Sequence, residues 1–494
     1  MRNFLLLIGV LLIPFLGGAQ QVTPPKKEVR AVWLTTIYGL DWPRTPATGE
    51  HSRKIQQEEL CEILDRLAEA NFNTVFFQVR LRGDVLYPSA IEPCSAVLTG
   101  KAGKSPGYDP LAFAVAECHK RGLECHAWMV TFPVGNEKTV RSQGRQSVVR
   151  RHRNLCKLHR GEWYLDPGVP GTADYLLSLV REIVENYDID GIHFDYIRYP
   201  EHAASFPDKS QYRKAGGQQS LADWRRGNIN RLMTRIYDYV KNAKPYVQVS
   251  SSPLGKYSRI PQVPNAGWTA YETVFQDPQH WMQAGKHDLV APMMYYKLRN
   301  FFPFLDNWVA KANGRLVVAG LGAYRLETSE GDWTLNDLTD QIDYARYFGA
   351  SGCAFFRCQQ VLGNVKGLYD GLKNNYFRYP AQLPPLRWLN DRVPPAPSEI
   401  RVERTGAELK LSWQRPAGAE GDLTYTVYYA TADTIPYDAA RSLLITGIRD
   451  TAVYLPVDTA RERGFLFSVS ASDRYHLESK PSPETYYYLS RYLK

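Results

Sequence analysis

The chain has 494 residues, of which 44% are apolar and 22% charged, and it carries a formal charge of +9. Such values exclude a disordered chain, and beyond the first twenty residues no apolar run is long enough to cross a membrane. The mild positive charge permits an acidic polymer as partner without requiring one.

The opening segment, MRNFLLLIGVLLIPFLGGAQ, has one positive charge at Arg2, an apolar run from Phe4 to Leu16 and then Gly17-Gly18-Ala19. It reads as a signal peptide at 1–19, cut near Ala19, which predicts an exported protein, periplasmic or extracellular. From there to residue 375, strand-like runs alternate with amphipathic stretches. The predicted strands are Val29–Thr36, Thr74–Arg80, Leu123–Val130, Gly191–Tyr196, Val247–Ser252, Leu289–Tyr296, Leu316–Leu321 and Cys353–Arg357. The predicted helices are Ser52–Ala70, Pro110–Arg121, Ala173–Tyr187, Leu221–Asn242, Pro278–Ala284, Leu305–Ala312, Asn336–Phe348 and Asn364–Leu372, with Ser52 and Asp277 as N-caps. Eight strands alternating with eight helices, without a GxGxxG turn, predict a (β/α)8 TIM barrel over 27–378 rather than an open doubly wound sheet.

Residues 379–397 are Pro-rich and read as a linker, so that a chain ending near Tyr379 is expected to fold alone. Short alternating runs follow at Glu408–Trp413, Thr424–Tyr429, Ser442–Ile445, Thr451–Leu455 and Phe465–Ser472, which predict a small all-β sandwich over 398–490. The inward Trp413, the Tyr425-Val427-Tyr429 alternation and the PPAPS entry resemble a fibronectin type III module.

In a barrel of this kind the loops after the strands form the active face. The segment YDIDGIHFDYIRYP places His193 and Asp195 on one face of the fourth strand, with Asp195 at its C-terminal end. A carboxylate there suits a nucleophile, a general acid or a ligand to sugar hydroxyls. In FFQVRLRGDVLYP, Gln78 and Arg80 alternate inward and Asp84 follows on a top loop; Arg80 is placed to orient Asp195 or to bind a substrate oxygen. His126 and Trp128 share a face of the third strand, Trp128 as a floor for a sugar ring; Trp33 in the first strand is expected to contact substrate as well. Tyr295 near the end of the sixth strand, Asp277 before it, and Tyr324 and Glu327 after the seventh complete the rim. The loop Arg141–Arg160 holds Arg141, Arg145, Arg150, Arg151, Arg153, Lys157 and Arg160; it reads as a solvated loop or as a grip on an acidic glycan. The seven cysteines show no CxxC spacing, so no metal site is expected; most are read as free and buried, and a Cys118–Cys125 disulfide stays open.

Six ordered segments, EVRAVWLTT, NFNTVFFQVRLRGDVLYPS, LECHAWM, YLDPGVPGTADYLLSLVREIV, YDIDGIHFDYIRYP and HDLVAPMMYY, together resemble the glycosyl-hydrolase-like 10 family of secreted bacterial proteins. The resemblance covers about residues 27–375. It implies a barrel with glycoside hydrolase activity, with bacterial cell-wall glycan as one substrate class. Asp195 matches the family's Asp after strand four, and Asp277 matches its Asp in a QDW-like segment, here Gln276-Asp277-Pro278. Many members carry a second Asp where Tyr196 stands, and Pro-Gln where Pro292-Met293 stands. The leading reading is an exported glycoside hydrolase with Asp195 as first catalytic group and Asp277, Glu327, Asp84 or Glu201, in that order, as its partner. A catalytically silent glycan-binding protein is the alternative, and an adhesion protein a third. The partner is a carbohydrate polymer or oligosaccharide, not nucleic acid, and no cofactor is implied.

Overall fold

The computed structural model describes residues 23–431, 433–456 and 463–489, so the signal peptide expected at 1–19 lies outside the described residues. Parallel strands close into a barrel: Val29–Leu34, Thr74–Arg80, Glu124–Val130, Gly191–Asp195, Gln248–Ser251, Leu289–Val290, Leu316–Leu321 and Gly352–Phe355. The first strand pairs with the second, Trp33 opposite Phe76, and with the eighth, Val32 opposite Phe355, and so closes the ring. The strands are buried almost throughout because helices cover one side and the barrel interior fills the other. Alternate residues divide accordingly. Val32, Leu34, Val75 and Phe77 pack outward under the helices, while Ala31, Trp33, Phe76 and Trp128 meet inside.

The sixth strand is shorter than expected because Pro292 has no N–H for the ladder; single bridges at Met293 to Leu254 and Gly320 extend it. The helix expected from Leu305 starts at Leu298 and carries Pro303 inside it. The helix expected over Asn364–Leu372 is broken into short turns, with Gly367 left-handed at φ 80°. Gly49, not Ser52, caps the first helix; Ser52 is its third residue and its hydroxyl accepts the Gly49 N–H. The stretch read as a basic loop, Arg141–Arg160, holds the end of a helix at Glu137–Gln143, a helical turn at Val148–Arg151 and the strand Cys156–His159, which joins Glu162–Leu165 and Pro133–Asn136 in a small antiparallel sheet. All seven cysteines are free, Cys118 and Cys125 included.

The C-terminal region forms two antiparallel sheets. One contains Ser398–Thr405, Glu408–Gln414 and Ala452–Pro456; the other contains Thr424–Ala430, Leu443–Ile448, Arg463–Ser472 and Thr485–Leu489. Leu409, Leu411 and Trp413 of the first meet Tyr425, Val427, Phe467 and Val469 of the second. Residues 379–397 do not run free between the barrel and these sheets. Leu386 is fully buried against the barrel interior beside Val29, Ala31, Leu289 and Leu316, and Trp388 donates its indole N–H to Asp288 at 2.9 Å.

The sheets themselves dock on the barrel end where the strands begin. His476 bonds Glu124 at 2.6 Å, and Arg474 pairs with Asp188 and Asp190 at 2.8 and 3.2 Å. The contact is close: a Cβ on Gly447, itself at φ 74°, would lie 2.6 Å from the Gly122 carbonyl oxygen. The C-terminal module therefore sits opposite the face where the strands end.

Candidate active site

The strand ends surround a cleft of about 290 Å³ lined by Trp33, Gln78, Arg82, Trp128, Asp195, Tyr196, Ser252, Met293, Tyr295 and Phe356, among others. Asp195 ends the fourth strand and is 6% exposed. Burial raises its pKa above the ordinary carboxyl value; the Tyr196 N–H, the charge of Arg198 and the nearby Ser252 and Trp128 side chains oppose that rise without cancelling it. The Tyr196 N–H donates to Asp195 Oδ1 at 2.7 Å. The Trp128 indole N–H and the Ser252 hydroxyl act from beyond hydrogen-bond contact, because neither has a protein partner. These are buried donors turned on a buried carboxyl, a site in which an acidic proton is kept to higher pH than in water.

The walls are aromatic. Trp33 packs on Phe76 and Phe356, and its indole N–H donates to His193 Nε2 at 3.1 Å. Tyr295 stacks on Phe356 with centroids 5.6 Å apart. Burial, with the Asp195 charge second, holds the Tyr295 phenol well above its usual pKa, so it faces the cleft as a neutral donor. Gln78 Oε1 accepts the backbone N–H groups of Thr36 and Ile37, both at 2.9 Å. That fixes the amide's orientation and leaves its NH2 to the cleft.

The fold thus gathers Trp33, Gln78, Trp128, Asp195 and Tyr295 of the expected residues. It does not gather the others. Arg80 is turned away by a register shift after Gln78, a bulge that breaks the alternation of the second strand. It bonds Glu92 at 2.6 and 2.8 Å on the outer side of the barrel, not Asp195. His126 shares Trp128's face but lies one layer deeper, bonded to Glu124 at 3.0 Å. His193 is fully buried between Trp33 and Ser250, and burial drives its pKa far down, so it is a neutral strut under Trp33. Tyr324 meets Tyr295 edge-on and does not line the cleft.

The acidic candidates are used elsewhere. Asp277 caps its helix through the His280 N–H and accepts the Tyr257 hydroxyl at 2.7 Å. Glu327 accepts the Gln360 amide at 2.7 Å, and Asp84 accepts the Arg82 N–H at 3.0 Å within its own turn. Glu201 stands on the exposed rim, where its charge reaches the Tyr196 phenol. Sequence reasoning passed over Arg82, Arg198, Ser252 and Phe356. Their signal is position, since each lies within a few residues of a strand's C-terminal end. It also passed over Asp41, which accepts the Thr35 N–H at 2.7 Å and the Gln359 N–H at 2.9 Å and ties the first top loop to the last. Among the described residues no group of His, Cys, Asp and Glu is arranged to hold a metal ion.

The family model described as glycosyl hydrolase-like 10 matches residues 28–317. The chain is 30% identical to the glycosyl hydrolase YngK of Bacillus subtilis, over 97% of each chain. It is 36% identical to the glycosyl hydrolase DigH of Escherichia coli K12, over 66% of this chain and 80% of that protein. Among solved structures it is similar to the glycoside hydrolase domain of PgaB (BpsB) from Bordetella bronchiseptica, at 14% identity and a TM-score of 0.49, over 71% of this chain and 99% of that one.

Proposed function

Taking as premise that the chain belongs to the glycosyl hydrolase-like 10 family, we propose that it is an exported glycoside hydrolase. Its substrate is a bacterial or environmental glycan, with cell-wall glycan strands the first candidate. The observation that carries the reading is Asp195, a buried carboxyl with a raised pKa in an aromatic-lined cleft. A carboxyl of that kind serves as general acid, giving its proton to the leaving glycosidic oxygen. Tyr295 supplies a face for a sugar ring above a floor formed by the buried Trp33 and Trp128, and the Gln78 NH2 supplies a donor to a hydroxyl. Glu201 is the remaining rim candidate for the second carboxylate, since Asp277, Glu327 and Asp84 are satisfied elsewhere. The leader at 1–19 supports export, and the C-terminal sheets form a fibronectin type III-like module that steadies the barrel's far end.

One observation favours a second reading. Among the cleft-lining residues Asp195 is the one acidic side chain, whereas glycoside hydrolysis ordinarily uses two carboxyls about 5 to 9.5 Å apart. A glycan-binding protein without turnover fits that. Incubating the chain and its Asp195→Asn variant with soluble cell-wall glycan strands separates the two. New reducing ends from the unmodified chain alone support the hydrolase; binding by both without new ends supports the silent binder.

A further inference from the structure

Among the described residues, Arg30, Arg80, Arg198 and Arg225 are the arginines with 5% exposure or less. Three have a carboxylate: Arg30 meets Glu28 at 2.8 Å, Arg80 meets Glu92 at 2.6 Å and Arg225 meets Asp208 at 2.7 Å. Arg80 and Arg225 use the same edge, Nε with Nη2, to grip both carboxylate oxygens. In Arg198 that edge is empty. No described carboxylate lies within 4.0 Å of it, Nε has no partner, and the side chain's one hydrogen bond runs from Nη1 to the Tyr199 carbonyl at 3.5 Å. Asp195 feels the Arg198 charge from beyond pairing distance, so the guanidinium is desolvated without a hydrogen-bonded counter-ion, a costly state that calls for an explanation such as a ligand.

The surroundings suit a charged sugar. The Arg198 guanidinium lies 4.7 Å from the Tyr196 ring centre and 5.9 Å from that of Trp268, residues 39% and 43% exposed. Tyr196 adopts φ 49°, a left-handed conformation rare for a bulky residue, at the lip of the cleft. Arg82 also lines the cleft, held by Glu162 at 3.4 Å, and its charge and that of Arg198 both reach the Tyr196 hydroxyl. Glu201 reaches the same hydroxyl, but its carboxylate lies beyond 4.0 Å of the Arg198 guanidinium.

We infer that the free edge of Arg198, assisted by Arg82, is an anion subsite that takes a carboxylate carried on the sugar next to the scissile bond, packed between Tyr196 and Trp268. A carboxylate is the anion this edge already holds twice in the molecule, at Glu92 and Asp208. The inference rests on the hydrolase reading and narrows its substrate to glycans with carboxylate-bearing sugars.

The test uses the full chain with Asp195→Asn, which keeps substrate intact. Titration calorimetry compares soluble cell-wall glycan strands carrying free carboxylates with the same strands converted to methyl amides. Amidation is expected to weaken binding roughly 10- to 100-fold, the range for a hydrogen-bonded charge. Adding Arg198→Gln should bring the two strands within about threefold of each other, and Arg198→Lys should restore part of the difference. Equal affinity for charged and amidated strands overturns the subsite and leaves the glycan reading standing; no binding of either overturns both. The amidation comparison needs no change at Arg198, so a misfolded Arg198→Gln leaves it decisive.

Discussion

Leu386→Ala tests whether the Pro-rich segment is a tether or a plug. Leu386 has no exposed surface and sits at the entrance of the barrel interior among Val29, Ala31, Leu289 and Leu316, with its N–H bonded to the Tyr475 carbonyl at 2.9 Å. Truncation removes the transfer free energy of the lost carbons and leaves a hole. A closed ring of hydrogen-bonded strands cannot fall inward to fill it, though the half-buried Leu383, Leu389 and Tyr475 can lean in. These opposing effects place the cost near the middle of the measured range for buried leucine, about 3 kcal/mol. In urea, followed by tryptophan fluorescence, the midpoint should drop by roughly 1 M with the slope unchanged. A shift worth less than about 0.5 kcal/mol, or a chain ending at Tyr379 that keeps the full-length midpoint, would refute the plug.

Other outcomes follow from the site and the docking contacts. Asp195→Asn should lower turnover by about 10²- to 10⁴-fold. Since burial raises the Asp195 pKa, its ionised form costs stability as pH climbs past about 4, so the variant's thermal midpoint at pH 7 should equal or exceed that of the unmodified chain. Gln78→Leu strips the Thr36 and Ile37 N–H groups of their acceptor and the cleft of a donor; a KM rise of about tenfold and a loss of roughly 1–3 kcal/mol are expected from kinetics and melting. His476 presents one ring nitrogen to the Pro384 carbonyl and the other to Glu124, so both carry protons. Burial alone would lower its pKa, but the Glu124 charge and these bonds raise it overall. Its contribution is therefore complete below about pH 6.5 and is lost as pH rises through the higher folded value. A melting profile from pH 5 to 9 should fall on its alkaline side, and His476→Gln should flatten that fall.

The barrel was legible because its strands are continuous apolar runs bounded by polar turns, as at Thr74–Arg80 and Leu316–Leu321, where the expected and observed bounds coincide. The misplaced ends trace to single residues with backbone consequences, Pro292, Pro303 and Gly367. The strand Ser398–Thr405 escaped notice because its residues are mostly exposed and polar or charged, with only Ile400 and Val402 alternating inward to mark it. The packing of 380–390 was equally hidden, since proline content speaks of extended backbone and not of what that backbone touches.

The carboxylates and arginines show where one-dimensional reasoning stops. Rim position was a fair guide to Asp195, Trp128 and Tyr295; strand periodicity aims the first two, and Tyr295 reaches the cleft from the segment beyond the short sixth strand. It failed for Asp277, Asp84 and Glu327, whose loops also start helices and turns with bare N–H groups or neighbouring amides that a short acidic side chain satisfies first. The arginines exchange roles for a similar reason. Arg80 holds the inward position by count, but one extra residue in the second strand sends it outward to Glu92, while Arg198, beyond the end of the fourth strand, is brought within electrostatic reach of Asp195. A guanidinium paired with Glu92 can only stabilise; an unpaired one beside an acidic carboxyl both restrains that carboxyl's pKa and leaves a charge for substrate to meet. Selectivity for substrate charge and the acidity of Asp195 are thereby tied to one side chain. Changing Arg198 should move both the carboxylate preference and the alkaline limb of the pH–rate profile, whereas changing Arg80 should move stability alone.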